Sequence, residues 1–330
     1  MDIAVLILNW NGKELLKQFL PSVVKYSEQA ALYVIDNDST DGSVSFLKQH
    51  YPEIKIIKHA ENLGYAGGYN QALKRIPENI SVLLNSDVEV TENWLKPFLS
   101  IFEKFENVAA IQPKILDYRR KDYFEYAGAA GGFIDKFGYP YCRGRIFESL
   151  EKDVGQYDQE IPVFWASGAC LVIRTEIFNK YGGLDEDFFA HQEEIDLCWR
   201  LHNKGYTIKF TPKSKVYHVG GATLQQLNPK KTFFNYRNSL YMLLKNLPIK
   251  DLYIILFARM ILDGVAAVKF LFEGKLNHIS AIFKAHLSFY RNFSVMKRKR
   301  KVLENSEKYY NATSVVYAHF IKRKSKFDQI

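Results

Sequence analysis

Cysteine is scarce in this chain, and so are the features of secreted or membrane-spanning proteins. The 330 residues include three cysteines, at positions 142, 170 and 198, without short spacing, which argues against a disulfide framework or a cysteine-based zinc site. Only six apolar residues, 3–8, stand between Asp2 and Asn9, so we expect no signal peptide. The longest uncharged run within residues 252–272 is 252–258, far below the roughly 20 residues of a spanning helix. These absences predict a protein of the reducing cytoplasm.

Common nucleotide-binding and nucleic-acid-binding motifs are also missing. Neither G-x-G-x-x-G nor a Walker loop is present, and no zinc spacing or aromatic RNA-binding motif accompanies the basic residues. We therefore expect no nucleic-acid partner. A nucleotidyltransferase should carry a Gly-rich, Lys- or Arg-bearing loop after its first strand, and Asn9-Trp10-Asn11-Gly12 is not such a loop. That enzyme class remains a weaker alternative.

Charge is distributed unevenly along a chain whose 47% hydrophobic content indicates a globular protein. Residues 230–330 hold 20 of the 45 Lys and Arg but only 6 of the 36 Asp and Glu. An acidic front part therefore carries a basic tail, which favours a polyanionic surface such as an anionic membrane. A solvated basic face is the plain alternative.

Short apolar runs alternate with amphipathic stretches over the first 115 residues. Strands are predicted at 3–8, 32–35, 54–58, 82–84 and 108–112, and helices at 13–27, 43–50, 69–75 and 94–105. This order predicts an α/β fold with a mostly parallel central sheet and helices on both faces.

Beyond this region the pattern changes twice. Residues 116–163 show no clear period and are expected to form a loop-rich insertion over the site. A strand at 168–173, a helix at 194–204 and strands at 207–210 and 215–217 follow. From Asn228 onward the chain is helical and amphipathic, which predicts an extension that lies on a membrane or packs on the domain.

Three carboxylates follow the second predicted strand, in Asp36-Asn37-Asp38-Ser39-Thr40-Asp41-Gly42-Ser43. An EF-hand calcium loop needs Gly at position six and Glu at position twelve. Counting from Asn37 places Lys48 at position twelve, and counting from Asp36 places Leu47 there. This rules out a calcium loop and leaves a ligand pocket at the carboxyl edge of the sheet.

Two other segments indicate ligand chemistry. Asp87 ends an apolar strand, where it could bind a cation that also contacts phosphate or could cap a following helix. The glycines of segment 62–70 would allow close backbone approach to a ligand. Glu193, Glu194 and Asp196 crowd one helix start, and acidic neighbours can raise a carboxyl pKa into the range of a general base.

These motifs occur in a fixed order within residues 1–245. The set consists of Asn9 to Gly12, Asp36 to Ser43, Asn62 to Gly64, Leu84 to Asp87, Gly168 to Cys170 with Arg174, and Glu193 to Leu197. Together they resemble glycosyltransferase family 2, most closely its bacterial rhamnosyltransferase-like branch. The resemblance implies a GT-A fold over residues 1–228, with a donor half at about 1–115 and an acceptor half at about 160–228. Residues 229–330 form the basic helical extension.

The resemblance also implies roles for particular residues. The nucleotide-sugar group comprises Asn9, Asp36, Asp38, Asn62, Gly64, Asn85 and Asp87. The catalytic group comprises Glu193, Glu194 and Asp196, with Glu194 as the base, and the acceptor side comprises Trp165, Gly168 and Arg174. Asp87 and His218 would hold the divalent metal, Mg²⁺ or Mn²⁺. Two positions depart from the family pattern, since Asn85 replaces the first Asp of the D-x-D element and Glu194 replaces an Asp.

The implied reaction is inverting transfer of a sugar, possibly rhamnose, from a dTDP- or UDP-sugar to a hydroxyl of a glycan or of a polyprenyl-diphosphate-linked acceptor. The process served would be cell-surface polysaccharide synthesis. The protein would then be peripheral on the cytoplasmic face of the membrane, held by the amphipathic 252–272 segment and the basic residues 296–301. A catalytically impaired sugar-nucleotide-binding protein is the alternative that Asn85 and Glu194 leave open.

Overall fold

The structure, a computed structural model, describes residues 1–220, 228–300 and 308–330. Its strands are β1 Ile3–Asn9, β2 Ala31–Asp36, β3 Lys55–Lys58, β4 Ile80–Asn85, β5 Val88–Val90, β6 Val108–Asp117, β7 Gly132–Ile134, β8 Pro140–Cys142, β9 Arg145–Ile146, β10 Ser149–Leu150, β11 Ile161–Val163, β12 Cys170–Arg174 and β13 Thr207–His218. Its α-helices are α1 Lys13–Tyr26, α2 Ser43–His50, α3 Gly64–Leu73, α4 Lys96–Lys104, α5 Thr175–Lys180, α6 Glu193–His202, α7 Pro229–Asn246, α8 Ile249–Phe272 and α9 Leu276–Lys299.

The central sheet has the order β11-β13-β6-β12-β4-β1-β2-β3, and β5 pairs with β13. The pairs of β1 with β2 and β4, of β2 with β3, and of β6 with β13 are parallel. Along β1, Ala4 and Leu6 face one apolar core while Val5 and Ile7 face the other, so both sides of the sheet are covered. The predicted α/β class with a mostly parallel sheet is confirmed.

The predicted loop-rich insertion is only partly correct. Strands β7 to β10 form a separate antiparallel sheet of four strands. Because each of these strands has two or three residues, the alternation that identifies a strand has no length over which to appear. The two short strands predicted at 207–210 and 215–217 are, in turn, one strand, β13, with a register shift between Thr211 and Lys215.

Helix α3 begins at Gly64 rather than at the predicted Tyr69. Its glycines lower helix propensity, but they permit close packing. A Cβ at Gly68 would lie 2.7 Å from Cδ1 of Leu8 in β1, and one at Gly67 would lie 3.0 Å from Cβ of Leu63. These two glycines therefore serve packing of the helix rather than the approach of a ligand.

The C-terminal helices pack on the domain. Helix α7 contacts α6, and α9 lies along α7 with α8 beside it. Within the described residues, no helix combines the length and the apolar character that crossing a bilayer requires.

Candidate active site

Three of the predicted donor-binding residues end neighbouring strands at one edge of the sheet. Asn9 pairs with Asp36 at the ends of β1 and β2, and Leu8 pairs with Asn85 at the end of β4. Oδ1 of Asn9 and Oδ1 of Asp36 are buried and make no hydrogen bond to any residue that the structure describes. Buried acceptors without partners are costly, so both oxygens are suited to receive N–H or O–H groups of a ligand.

Amide side chains hold the loops at this edge. Asn37 Nδ2 donates to Asn62 Oδ1 at 2.8 Å, and the same oxygen accepts from the Gly64 N–H at 2.9 Å. Asn62 and Gly64 are thus brought to the predicted pocket, where Asn62 shapes the loop. Asp38 is exposed with a left-handed φ of 65°, and Asp41 accepts from the N–H of Lys13 and of Ser43. Asp41 therefore accepts a hydrogen bond from the first backbone N–H of α1 and of α2.

Asp87 and His218 are in direct contact. His218 Nε2 lies 3.1 Å from Asp87 Oδ1 and 3.4 Å from Nδ2 of Asn85, and His218 Nδ1 lies 3.3 Å from Glu125 Oε1. Burial alone would lower the pKa of His218, but the two carboxylates raise it to about 10. Burial likewise opposes ionisation of Asp87, yet His218 holds its pKa below the usual value. Asp87 does not cap a helix, because α4 begins only at Lys96.

Asp87 and His218 offer an oxygen and a nitrogen of the kinds that bind divalent cations. Their separation of 3.1 Å is that of a hydrogen bond, and His218 would bind a cation through Nε2 only after losing the proton that the two carboxylates stabilise. Across residues 1–220, 228–300 and 308–330, no group of three His, Cys, Asp or Glu side chains forms a complete metal site. The remaining ligands would therefore come from the diphosphate and water.

Glu193 and Glu194 lie at the start of α6, next to the same edge of the sheet. Burial raises the pKa of Glu194 to about 7, and burial together with the charge of Glu194 raises the pKa of Glu193 well above its usual value. Oε2 of each carboxyl is buried without a hydrogen-bond partner in the described part of the chain. A carboxyl that titrates near neutral pH with an available oxygen has the properties of a general base.

A short chain of contacts joins Glu194 to the Asp87 side. The Gly168 backbone bonds to the Glu194 carboxyl, and the next residue, Ala169, accepts a hydrogen bond from the Asn85 N–H at 3.1 Å. The Tyr65 hydroxyl donates to the Gly168 carbonyl at 2.7 Å and also lies near both glutamates. The candidate base and the candidate metal ligands thus flank the end of β4.

Asp196 does not belong to the catalytic group. Its Oδ2 accepts from Lys245 Nζ at 2.7 Å and from Arg200 Nε at 2.9 Å, and its Oδ1 accepts from Asn246 Nδ2 at 2.8 Å. Despite complete burial, these cations keep its pKa below the usual value. A carboxylate whose oxygens are occupied by cations and an amide is an anchor, so its predicted catalytic role is wrong.

The structure separates the three residues that were predicted for the acceptor side. Gly168 lies in the contacts just described, and Trp165 is buried, with its Nε1–H donating to the Phe133 carbonyl at 2.9 Å. Arg174 lies at the opposite edge of the sheet, because its partner Ile80 is the first residue of β4. There its guanidinium donates to the carbonyls of Phe102, Phe105 and Val108. Its assignment to the acceptor side is wrong, since antiparallel β12 carries it away from the site.

The segment before the glutamates has a strained backbone. Phe189, His191 and Gln192 have φ values of 63°, 70° and 71°, each of which costs on the order of 1–3 kcal/mol. Asn238 of α7 holds this segment, since its Nδ2 lies within 2.7–3.1 Å of the carbonyl oxygens of Phe188, Ala190 and His191. Sequence reasoning missed Asn238 and Glu125, because neither lies in a strand end or an acidic motif.

Sequence comparison identifies the family. The family model described as Glycosyl transferase family 2 matches residues 4–182. The chain belongs to glycosyltransferase family 2.

Two relatives of this glycosyltransferase are named for glycosyl transfer. It is 27% identical over 222 residues, 62% of the chain and 71% of the relative, to the N-acetylglucosaminyl-diphospho-decaprenol L-rhamnosyltransferase of Mycobacterium tuberculosis. It is 25% identical over 86% of its length to the low-salt glycan biosynthesis hexosyltransferase of Haloferax volcanii, of which it covers 90%.

Two solved structures share its GT-A fold. Residues 1–349 of S. aureus TarS in complex with UDP-GlcNAc give a TM-score of 0.56 at 13% identity, with 95% of this chain and all of that one covered. GalNAc-T7 with UDP, GalNAc and Mn²⁺ gives 0.57 at 17% identity over 78% of this chain, which spans 54% of that protein. The glycosyltransferase therefore has the GT-A fold.

Replacing Asn238 should release the strained segment. We expect Asn238→Ala to lower the free energy of unfolding by about 1–3 kcal/mol, because three buried carbonyls lose their donor. Urea denaturation measures the change. Asn277→Ala, at an exposed position of α9, is the control and should change stability by less than about 0.5 kcal/mol. Equal stability of the two variants would contradict the role assigned to Asn238.

Proposed function

We propose that Glu194 is the base of an inverting transfer in which the acceptor hydroxyl attacks the anomeric carbon of a dTDP- or UDP-sugar. The observation that carries this proposal is the buried carboxyl with a pKa of about 7 and an available oxygen, placed next to the end of β4. As the hydroxyl oxygen forms its bond to the sugar, Glu194 takes the proton and the nucleoside diphosphate leaves. Glu193 keeps a raised pKa beside it and supplies a neutral neighbour for the charged base.

We infer that the donor lies over the ends of β1, β2 and β4. Asn9 and Asp36 would accept hydrogen bonds from the nucleoside through their unpartnered oxygens. Asp87 and His218 would hold Mg²⁺ or Mn²⁺, which neutralises the diphosphate as it leaves. Relatives in solved structures contain UDP with Mn²⁺ and UDP-GlcNAc, which supports this class of donor.

The acceptor is proposed to be a polyprenyl-diphosphate-linked saccharide or another glycan that binds on the Gly168 and Trp165 side of Glu194. The name of the mycobacterial relative, which contains a diphospho-decaprenol acceptor and an L-rhamnosyl group, supports a lipid-linked substrate and a rhamnosyl donor. Such an acceptor would place the enzyme at the cytoplasmic face of the membrane. We propose residues 1–228 as the catalytic domain and residues 229–330 as its extension.

Replacing Glu194 should slow glycosyl transfer strongly and leave binding of the sugar nucleotide intact. We expect Glu194→Gln to lower turnover by about 10²- to 10⁴-fold, because a carboxamide cannot take the proton. Isothermal titration with UDP should give an affinity close to that of the unmodified protein. Glu194→Asp is the matched variant, since it keeps a carboxylate and should keep measurable turnover. Near-normal turnover of Glu194→Gln would contradict the assignment, whereas UDP binding without turnover in the unmodified protein would favour a catalytically impaired sugar-nucleotide-binding protein.

The raised pKa of Glu194 predicts that the stability of the protein depends on pH. The pKa of Glu194 is about 7 in the folded protein, above the 4.5 of an ordinary glutamate. The folded state therefore binds the proton more tightly than the unfolded chain does, and its stability falls as pH rises between these two values. Glu194→Gln removes this loss, and relative to the unmodified protein it should gain on the order of 3 kcal/mol between pH 4 and pH 8. Urea unfolding at both pH values measures the gain. A constant difference between the two proteins would contradict it.

The proposed metal binding by Asp87 and His218 can be tested by substituting Glu125, which contacts His218. Because Glu125 orients His218, we expect Glu125→Gln to weaken Mn²⁺ binding by about 10- to 100-fold and Asp87→Asn to abolish it. Mn²⁺ titration in the presence of UDP, followed by electron paramagnetic resonance, measures both. Glu160→Gln, outside this group of contacts, is the control. Unchanged Mn²⁺ affinity in Asp87→Asn would remove Asp87 from the metal site.

A further inference from the structure

Helix α8 presents its charged residues to the protein and its apolar residues to the outside. Arg259 and Asp263 are buried, with Arg259 Nε 2.9 Å from Asp263 Oδ1. His286 of α9 contacts the other oxygen of Asp263 at 3.1 Å, and the Arg259 guanidinium lies 3.7 Å from the ring centre of Tyr139. The charged residues Arg259 and Asp263 therefore form buried contacts that join α8 to α9 and to the domain.

The opposite face of α8 and the adjoining face of α9 are apolar and exposed. We call this surface the hairpin face; it is represented by Ile254, Phe257, Ile261 and Val268 of α8 and by Phe283 and Tyr290 of α9. On α8 these residues recur every three to seven positions, which places them on one side of the helix. Phe257 is 67% exposed and Ile254 is 74% exposed. A contiguous apolar surface of this kind on a folded protein marks an interaction site.

Charge identifies what covers the hairpin face. Lys250 of α8 and Lys284 and Arg291 of α9 are exposed, Lys269 of α8 pairs with Glu273, and the sequence of α9, 276–299, contains no Asp or Glu. Two copies of this face would bring like charges together, whereas an anionic bilayer offers both acyl chains for the apolar side chains and headgroups for the cations.

Two cations of the basic segment 296–301 contact the domain. Nζ of Lys299 contacts Asp185 and lies 2.7 Å from Asp187 Oδ2, and Arg300 Nη1 donates to the Leu244 carbonyl at 2.9 Å. Two of its cations are thus committed to the domain. Lys301 lies outside the described residues, and Lys297 and Arg298 are exposed and form no ion pair with a described residue.

We propose that the hairpin face lies in the plane of an anionic membrane surface, with its aliphatic and aromatic side chains inserted at the boundary of headgroups and acyl chains. This inference deepens the proposed membrane location, but it rests on the contacts of α8 and α9 and requires no glycosyl transfer. It assigns attachment to apolar insertion assisted by flanking cations, in place of electrostatic attraction by a basic tail.

Vesicle flotation of the full-length protein tests the proposal. We expect binding to vesicles of phosphatidylglycerol and phosphatidylcholine and much weaker binding to phosphatidylcholine alone. Phe257→Gln combined with Ile261→Gln should weaken binding to the mixed vesicles by roughly tenfold or more, because two apolar side chains lose their burial. Val154→Gln is the matched control, since Val154 is also exposed and lies outside the hairpin. Lys284→Gln with Arg291→Gln should reduce the preference for anionic vesicles.

Other outcomes overturn the inference. Equal vesicle binding by the Phe257/Ile261 variant and the unmodified protein would show that the hairpin face does not insert. A dimer that this variant converts to a monomer, without vesicle binding by either protein, would assign the face to a second copy. UDP binding, measured on the same samples, separates these results from failure of the proposed enzymatic function, because the substituted residues lie outside the donor site.

Discussion

One buried ammonium group holds the candidate base in position. Lys245 Nζ of α7 lies 2.6 Å from Asp185 Oδ2 and 2.7 Å from Asp196 Oδ2, and these two aspartates bracket the segment that contains Glu193 and Glu194. Burying a charge without a partner is very costly, so the segment can reach this packing only in a conformation that brings both carboxylates to the lysine. The free-energy cost of the strained backbone between the two aspartates is offset because both ends of the segment are fixed by Lys245.

Four acids of this region divide into two groups according to their partners. Burial would raise the pKa of Asp185, but Lys245 and Lys299 lower it to about 2, and Asp196 is held ionised in the same way. Glu193 and Glu194 are buried without a cation, so their pKa values rise. Acids a few residues apart in sequence thus have opposite properties, and Glu194, with a pKa of about 7, can exchange a proton near neutral pH.

Some of this arrangement could be predicted from sequence and some could not. Strand ends at Asn9, Asp36 and Asn85 were predictable because apolar runs give way abruptly to polar residues, and parallel strands place such ends at one edge. The roles of Asp196 and Arg174 were not predictable. The first depends on Lys245, 49 residues away, and the second depends on β12 running antiparallel to β4. Partners distant in sequence leave no local pattern.

The orientation of α8 shows the same limitation and links the extension to the site. Sequence alone places Arg259 and Asp263 on one side of a helix, but which side faces the protein is decided by Tyr139 and His286, which receive the pair. Once the pair is buried, the apolar side must face outward. Helix α9, which contributes His286 at its middle, ends with Lys299 on Asp185 and Asp187. The outward apolar face and the segment before Glu194 are therefore fixed by one helix, so a surface bound at the hairpin face would lie at a fixed distance from the proposed base.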